Sequence, residues 1–153
     1  MPYDKLKKLG FELPPPPAPG GNYVPYVVTG DTVYLAGQGP LLEDGSLAKG
    51  KVGDDVTTEQ AVEHAQRCTL ALLAVLEQAI DSLERVERIV KVFGMVNGVP
   101  TFGEHPRVID GCSTLLIDIF GDRGRHARSA IGMGSLPHNI TVEIELIAKI
   151  AVT

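Results

Sequence analysis

Ten residues near the end of the chain, TVEIELIAKI, constrain the fold more than any others. On an extended backbone Val142, Ile144, Leu146, Ala148 and Ile150 share one side, and Glu143, Glu145, Ile147 and Lys149 share the other. Such alternation predicts a strand with one face packed on a core and one face left polar. The core must then come from helices. Thr57 and Gln60 have the capping-box spacing, Glu59 suits a helix N-terminus, and an apolar stripe follows from Ala61 through Ala65, Cys68, Leu72 and Leu76 to Ala79. A second helix is expected over Pro106–Phe120, with proline in its first turn and Gly121 at its end.

The remaining strands read from composition. NYVPYVVTGDTVYLAGQGP predicts a hairpin turning at Thr29-Gly30-Asp31, and RVERIVKVFGMV predicts a buried strand. SLAKGKVG offers a further short strand. Two more are expected over Ala127–Met133 and Ile140–Val152. The order β-β-(β)-α-β-α-β-β predicts an α+β domain over residues 22–153, a sheet with both helices on one face. Residues 1–21 read as a mobile arm, because four successive prolines in PPPPAPGG favour polyproline II and cannot continue a helix.

The last two strands are expected to pair as a hairpin across Gly134–Asn139. One register sets Ile131 and Met133 with the apolar residues, placing Arg128 and Ala130 opposite the glutamates. The other buries Arg128 among valine and isoleucine, at roughly several kcal/mol for an unpaired charge. Arg128 is therefore expected to share a face with Glu143 and Glu145. That face suits a cross-strand ion pair, or a small-molecule site in which guanidinium grips a carboxylate and glutamate orients water. Small Ala130 and Gly132 leave room for a ligand.

Composition narrows the classes. The chain has 153 residues, enough for one real core, and a net charge of −5, which disfavours a nucleic-acid surface. Cys68 and Cys112 have no metal-ligand spacing and read as helix packing. The absence of a signal-peptide pattern and of a long apolar run leads to the expectation of a cytoplasmic protein without membrane contact.

At these residues the chain resembles the YjgF/RidA-like family, the reactive enamine/imine deaminases also catalogued as L-PSP proteins. GRHARSAIG followed by LPHNITVEIELIA resembles the family's C-terminal signature, NYVPYVVTGDTVYLAGQGP its first hairpin, and RVERIVKVFGMVN its central strand. The resemblance runs from about Asn22 to Ile150, and GRHARSA with the proline-rich lead-in points to a distinct, longer branch. It implies a chorismate-mutase-like fold and a homotrimer with sites between subunits. By resemblance Arg128 binds the substrate carboxylate and Glu143 positions water, with Tyr23, Gly37, Asn97 and Ala130 lining the pocket. Ala130 replaces the family's usual cysteine, which removes thiol chemistry and leaves the substrate open. No metal or organic cofactor is implied.

Three functions follow as expectations: hydrolysis of small 2-imino acids, binding of a 2-oxo acid without turnover, or RNA cleavage, against which the acidic composition counts. Tyr23 also reads as a half-buried strand residue and Asn97-Gly98 as turn chemistry. His126 can share the Arg128 face at a strand entrance. His64 reads as solvent-facing, and His105 and His138 as loop residues.

Overall fold

The computed structural model describes residues 1–152. Five strands form one mixed sheet: β1 (Tyr26–Thr29), β2 (Thr32–Leu35), β3 (Val86–Asn97), β4 (Ala127–Met133) and β5 (Val142–Ile150), in the order β1-β2-β5-β3-β4. Helices α2 (Thr58–Ile80) and α3 (His105–Phe120) cover one face of it, as the alternation requires. The first hairpin turns where expected, with Gly30 at φ 60°, a value suited to the first central position of a type II′ turn. Helix α2 starts at the predicted box: Gln60 N–H donates to Thr57 Oγ1 at 3.1 Å, and Thr57 N–H to Gln60 Oε1 at 2.9 Å.

Strand β5 sits in the middle of the sheet, antiparallel to β2 and to β3. Its apolar side, Val142, Ile144, Leu146, Ala148 and Ile150, is buried against α2 and α3 together with Val33, Val92, Leu72, Leu73, Ile109 and Leu116. The opposite face carries a smaller cluster at one end, Met95, Leu136 and Ile140 with Phe93 and Met133 packed beside them. Elsewhere that face is open, and Val27, Tyr34 and Ile131 stand exposed on it at 51%, 46% and 41%.

Three expectations change. First, β4 does not pair with β5. It lies parallel to β3 at the edge of the sheet, and parallel neighbours need a crossover, which α3 supplies. Alternation reports which face a residue occupies and is silent about which strand lies alongside. Secondly, SLAKGKVG forms only isolated bridges, Leu41 to Leu47 and Lys49 to Ile140. Thirdly, the lead-in begins with helix α1 (Pro2–Leu9), docked through buried Leu6. The Tyr3 hydroxyl donates to Glu77 Oε2 at 2.6 Å and accepts from Leu83 N–H at 2.9 Å, fixing α1 to the end of α2. The prolines come after it, in a stretch without helix or strand.

Candidate functional site

Strand pairing decides where each candidate points. Arg128 pairs with Val92, which pairs with Leu146, so Arg128 lies on the helix-covered side of the sheet. Glu143 pairs with Met95, which pairs with Ile131, on the open side. The expected common face for Arg128, Glu143 and Glu145 is therefore absent within one protomer. A buried arginine is costly when unpaired, and at an edge strand Arg128 finds partners on the rim of α3.

Those partners are specific. Arg128 Nη1 donates to Asp110 Oδ1 at 2.7 Å and to Ser113 Oγ at 3.0 Å, and Nη2 donates to the Pro106 carbonyl at 3.0 Å. Three of the five guanidinium N–H donors are engaged, which leaves Nε and one Nη2 hydrogen for another acceptor. The Arg128 side chain is 22% exposed and that of Asp110 59%, so the pair sits at the surface. His126 joins it: Nε2 lies 2.8 Å from Ser113 Oγ and Nδ1 lies 2.6 Å from the Gly124 carbonyl. A carbonyl can only accept, so Nδ1 carries the proton and Nε2 accepts from the serine hydroxyl. Burial, against the opposing hydrogen bond to the Gly124 carbonyl and helped by the Arg128 and Arg88 charges, lowers the His126 pKa and so favours the neutral imidazole.

On the open face Glu143 is half-buried. Burial first, and the neighbouring Glu145 charge second, push its carboxyl above the usual carboxylate range. Gly37 lies against it so closely that a β-carbon there would collide with Glu143 Oε2. Glycine at 37 thus gives the carboxylate its space. Next to these residues a shallow pocket of about 180 Å³ is lined by Tyr34, Lys91, Phe93, Glu145 and Ile147. A larger cleft of about 900 Å³ lies elsewhere, between α1, the proline stretch, Leu41–Gly45 and Arg67.

The other candidates separate. Ala130 packs on the main core, on the Arg128 side of β4. Asn97 is 1% exposed and its Nδ2 donates to the Gly50 carbonyl and to Asn139 Oδ1, both at 3.0 Å, so it ties loops to the sheet. Tyr23 precedes β1 in a bend, 52% exposed, with its hydroxyl accepting from Gly20 N–H at 3.1 Å. His64 is turned inward to Thr141, Nδ1 to Oγ1 at 2.9 Å, and burial lowers its pKa against a small opposing effect of Glu63. Cys68 and Cys112 are both buried and free. Burial raises both thiols, Cys112 to about 11, so neither supplies a thiolate near neutral pH. Asp110 and Ser113 escaped the sequence reading. Their signal was two polar residues, three apart on α3, on the side of the helix that meets β4.

Among the described residues no helix is long and apolar enough to cross a membrane, and no three His, Cys, Asp or Glu side chains converge as a metal site would need. The family model described as "YjgF/chorismate_mutase-like, putative endoribonuclease" matches residues 4–150, taking in most of the lead-in. Protein TCP17 of Trypanosoma cruzi is 36% identical over 95% of this chain and 91% of its own length. A 2-iminobutanoate/2-iminopropanoate deaminase of Dermatophagoides farinae is 30% identical over 92% of this chain and 94% of its own. The crystal structure of protein Atu1372 from Agrobacterium tumefaciens superposes with a TM-score of 0.91 at 40% identity, covering 98% of this chain and 94% of that one. The family model, the relatives and the superposition each cover nearly the whole chain: it belongs to the YjgF/RidA-like family.

Proposed function

We propose that the protein hydrolyses small enamine/imine acids of the 2-iminobutanoate and 2-iminopropanoate type to 2-oxo acids and ammonia. The acting form is a homotrimer, assembled through the open sheet face. Each site combines Arg128 of one protomer with Glu143 and Gly37 of the next. One observation carries this function. A carboxylate with raised proton affinity stands on a partly apolar, uncovered sheet face, while a guanidinium with two unused donors stands at the sheet edge. Opposite faces of one sheet can meet in a single cavity only across a subunit boundary. Similarity to the deaminase of Dermatophagoides farinae supports the same chemistry.

The steps balance without a cofactor. Arg128 holds the substrate carboxylate in a fixed orientation. Glu143 accepts a proton from a water whose oxygen adds to the C=N carbon and passes that proton to the imine nitrogen, giving a carbinolamine. Glu143 then takes the carbinolamine O–H proton and delivers it to the nitrogen as C=O forms and the C–N bond breaks, releasing ammonia and the 2-oxo acid. A carboxyl whose proton affinity is raised above the usual carboxylate range suits both transfers. Ala130 faces the core and takes no chemical part. Tyr23 and Asn97 act as a loop residue beside the cavity and as a loop clamp.

The test generates 2-iminobutanoate in situ with an amino-acid oxidase and traps what remains with semicarbazide. Wild-type protein is expected to lower adduct yield, and Arg128→Ala and Arg128→Lys are expected to lose the effect, since lysine lacks the planar fork. Unchanged activity in both variants contradicts the proposal. A rival function, 2-oxo-acid binding without turnover, is favoured by the Asp110 carboxylate already paired with Arg128. Calorimetric binding of 2-oxobutanoate with no effect on adduct yield would select it.

A further inference from the structure

Two stripes meet along the edge of the sheet. Pro106, Asp110 and Ser113 recur at helical spacing on one side of α3, and His126 and Arg128 point toward it from the start of β4. Their contacts form one chain: Gly124 carbonyl, His126, Ser113, Arg128, Asp110. Each bond has a direction. The Gly124 carbonyl fixes the proton on Nδ1, Nε2 takes the Ser113 hydroxyl proton, and the serine lone pairs are thereby turned toward Arg128 Nη1. The guanidinium plane is set by three of its donors, all engaged on α3, which leaves two for another acceptor.

We infer that Ser113 and His126 are positioning residues for carboxylate recognition, acting through Arg128 without touching substrate. The inference rests on the proposed role of Arg128. An arginine side chain free in solution has several rotatable bonds, and a bidentate grip requires all of them fixed. Asp110 contributes charge and one bond but is largely exposed. The Ser113–His126 pair is half-buried and supplies a second bond to Nη1 beside that of Asp110. The groups facing His126 are Arg128 on β4, Arg88 on β3, and Ser113 and, through Arg128, Asp110 on α3. A proton on Nε2 would compete with Arg128 for the serine lone pairs and add a third positive charge to this corner.

Ser113→Ala and His126→Ala are compared with wild type for 2-iminobutanoate hydrolysis and for 2-oxobutanoate binding by calorimetry, after thermal melts establish that each variant folds. KM and the 2-oxobutanoate Kd are expected to rise roughly tenfold, the scale of one hydrogen bond to a charged group, with kcat nearly unchanged. Ser113→Thr, which keeps the hydroxyl, is expected to restore both constants, a rescue that a packing defect would not show. KM and Kd unchanged in both alanine variants, while Arg128→Ala is inactive, overturns the inference and leaves the role of Arg128 intact. Wild-type protein that neither hydrolyses the imine nor binds 2-oxobutanoate overturns both together.

Discussion

Glu143 carries a charge that the fold itself disfavours, because its carboxyl is half-buried and faces Glu145. A carboxyl raised above its unfolded value binds more protons folded than unfolded, so its contribution to stability falls as pH rises through that range. Glu143→Gln is therefore expected to raise the melting temperature at neutral pH while lowering imine hydrolysis about a hundredfold or more, the usual worth of a positioned acid–base group. A melting scan and the trapping assay on the same sample check both halves. His126 has the opposite sign. Its folded pKa is depressed, so the stability it contributes is present above about pH 6.5, the ordinary histidine value, and is lost as pH falls through the folded value. Melting temperature against pH should decline less steeply on the acid side in His126→Gln than in wild type.

Helix α2 depends on its first turn. Thr57→Ala removes the side-chain acceptor for Gln60 N–H and half of the reciprocal box, and is expected to destabilise the protein by about 1 kcal/mol in urea denaturation. That box was legible in the chain because capping is a local matter of two residues three apart. Helix α3 was legible from its boundary residues, Pro106 and Gly121, and the long strands from alternation, since one covered face imposes its period directly. Strand neighbours were not. The parallel placement of β4 beside β3 depends on the crossover through α3, and no local pattern in residues 127–133 distinguishes an edge strand from a hairpin arm. The position of Arg128 followed that error. The arginine was expected on the polar face with the glutamates and lies instead on the core side of the sheet, accommodated by Asp110, Ser113 and the Pro106 carbonyl. Helix α1 was hidden because the prolines after it dominate the composition of the lead-in, although Leu6 and Tyr3 are what dock it.

At the scale of the molecule, an open sheet face with Val27, Tyr34 and Ile131 exposed invites assembly. Ile131→Asp places a charge there and, if the proposed trimer forms through this face, is expected to shift the protein to monomer in light scattering, with imine hydrolysis lost alongside. If the monomer keeps full activity, the site does not need a neighbour. A sharper result comes from mixing two inactive proteins, Arg128→Ala and Glu143→Gln, through reversible unfolding so that their subunits exchange. In a cyclic trimer of random composition about a quarter of the subunit boundaries join an intact Arg128 to an intact Glu143. The composite site therefore predicts recovery of about a quarter of wild-type activity in the mixture, against none in either protein alone. A mixture that exchanges subunits and stays inactive would contradict it.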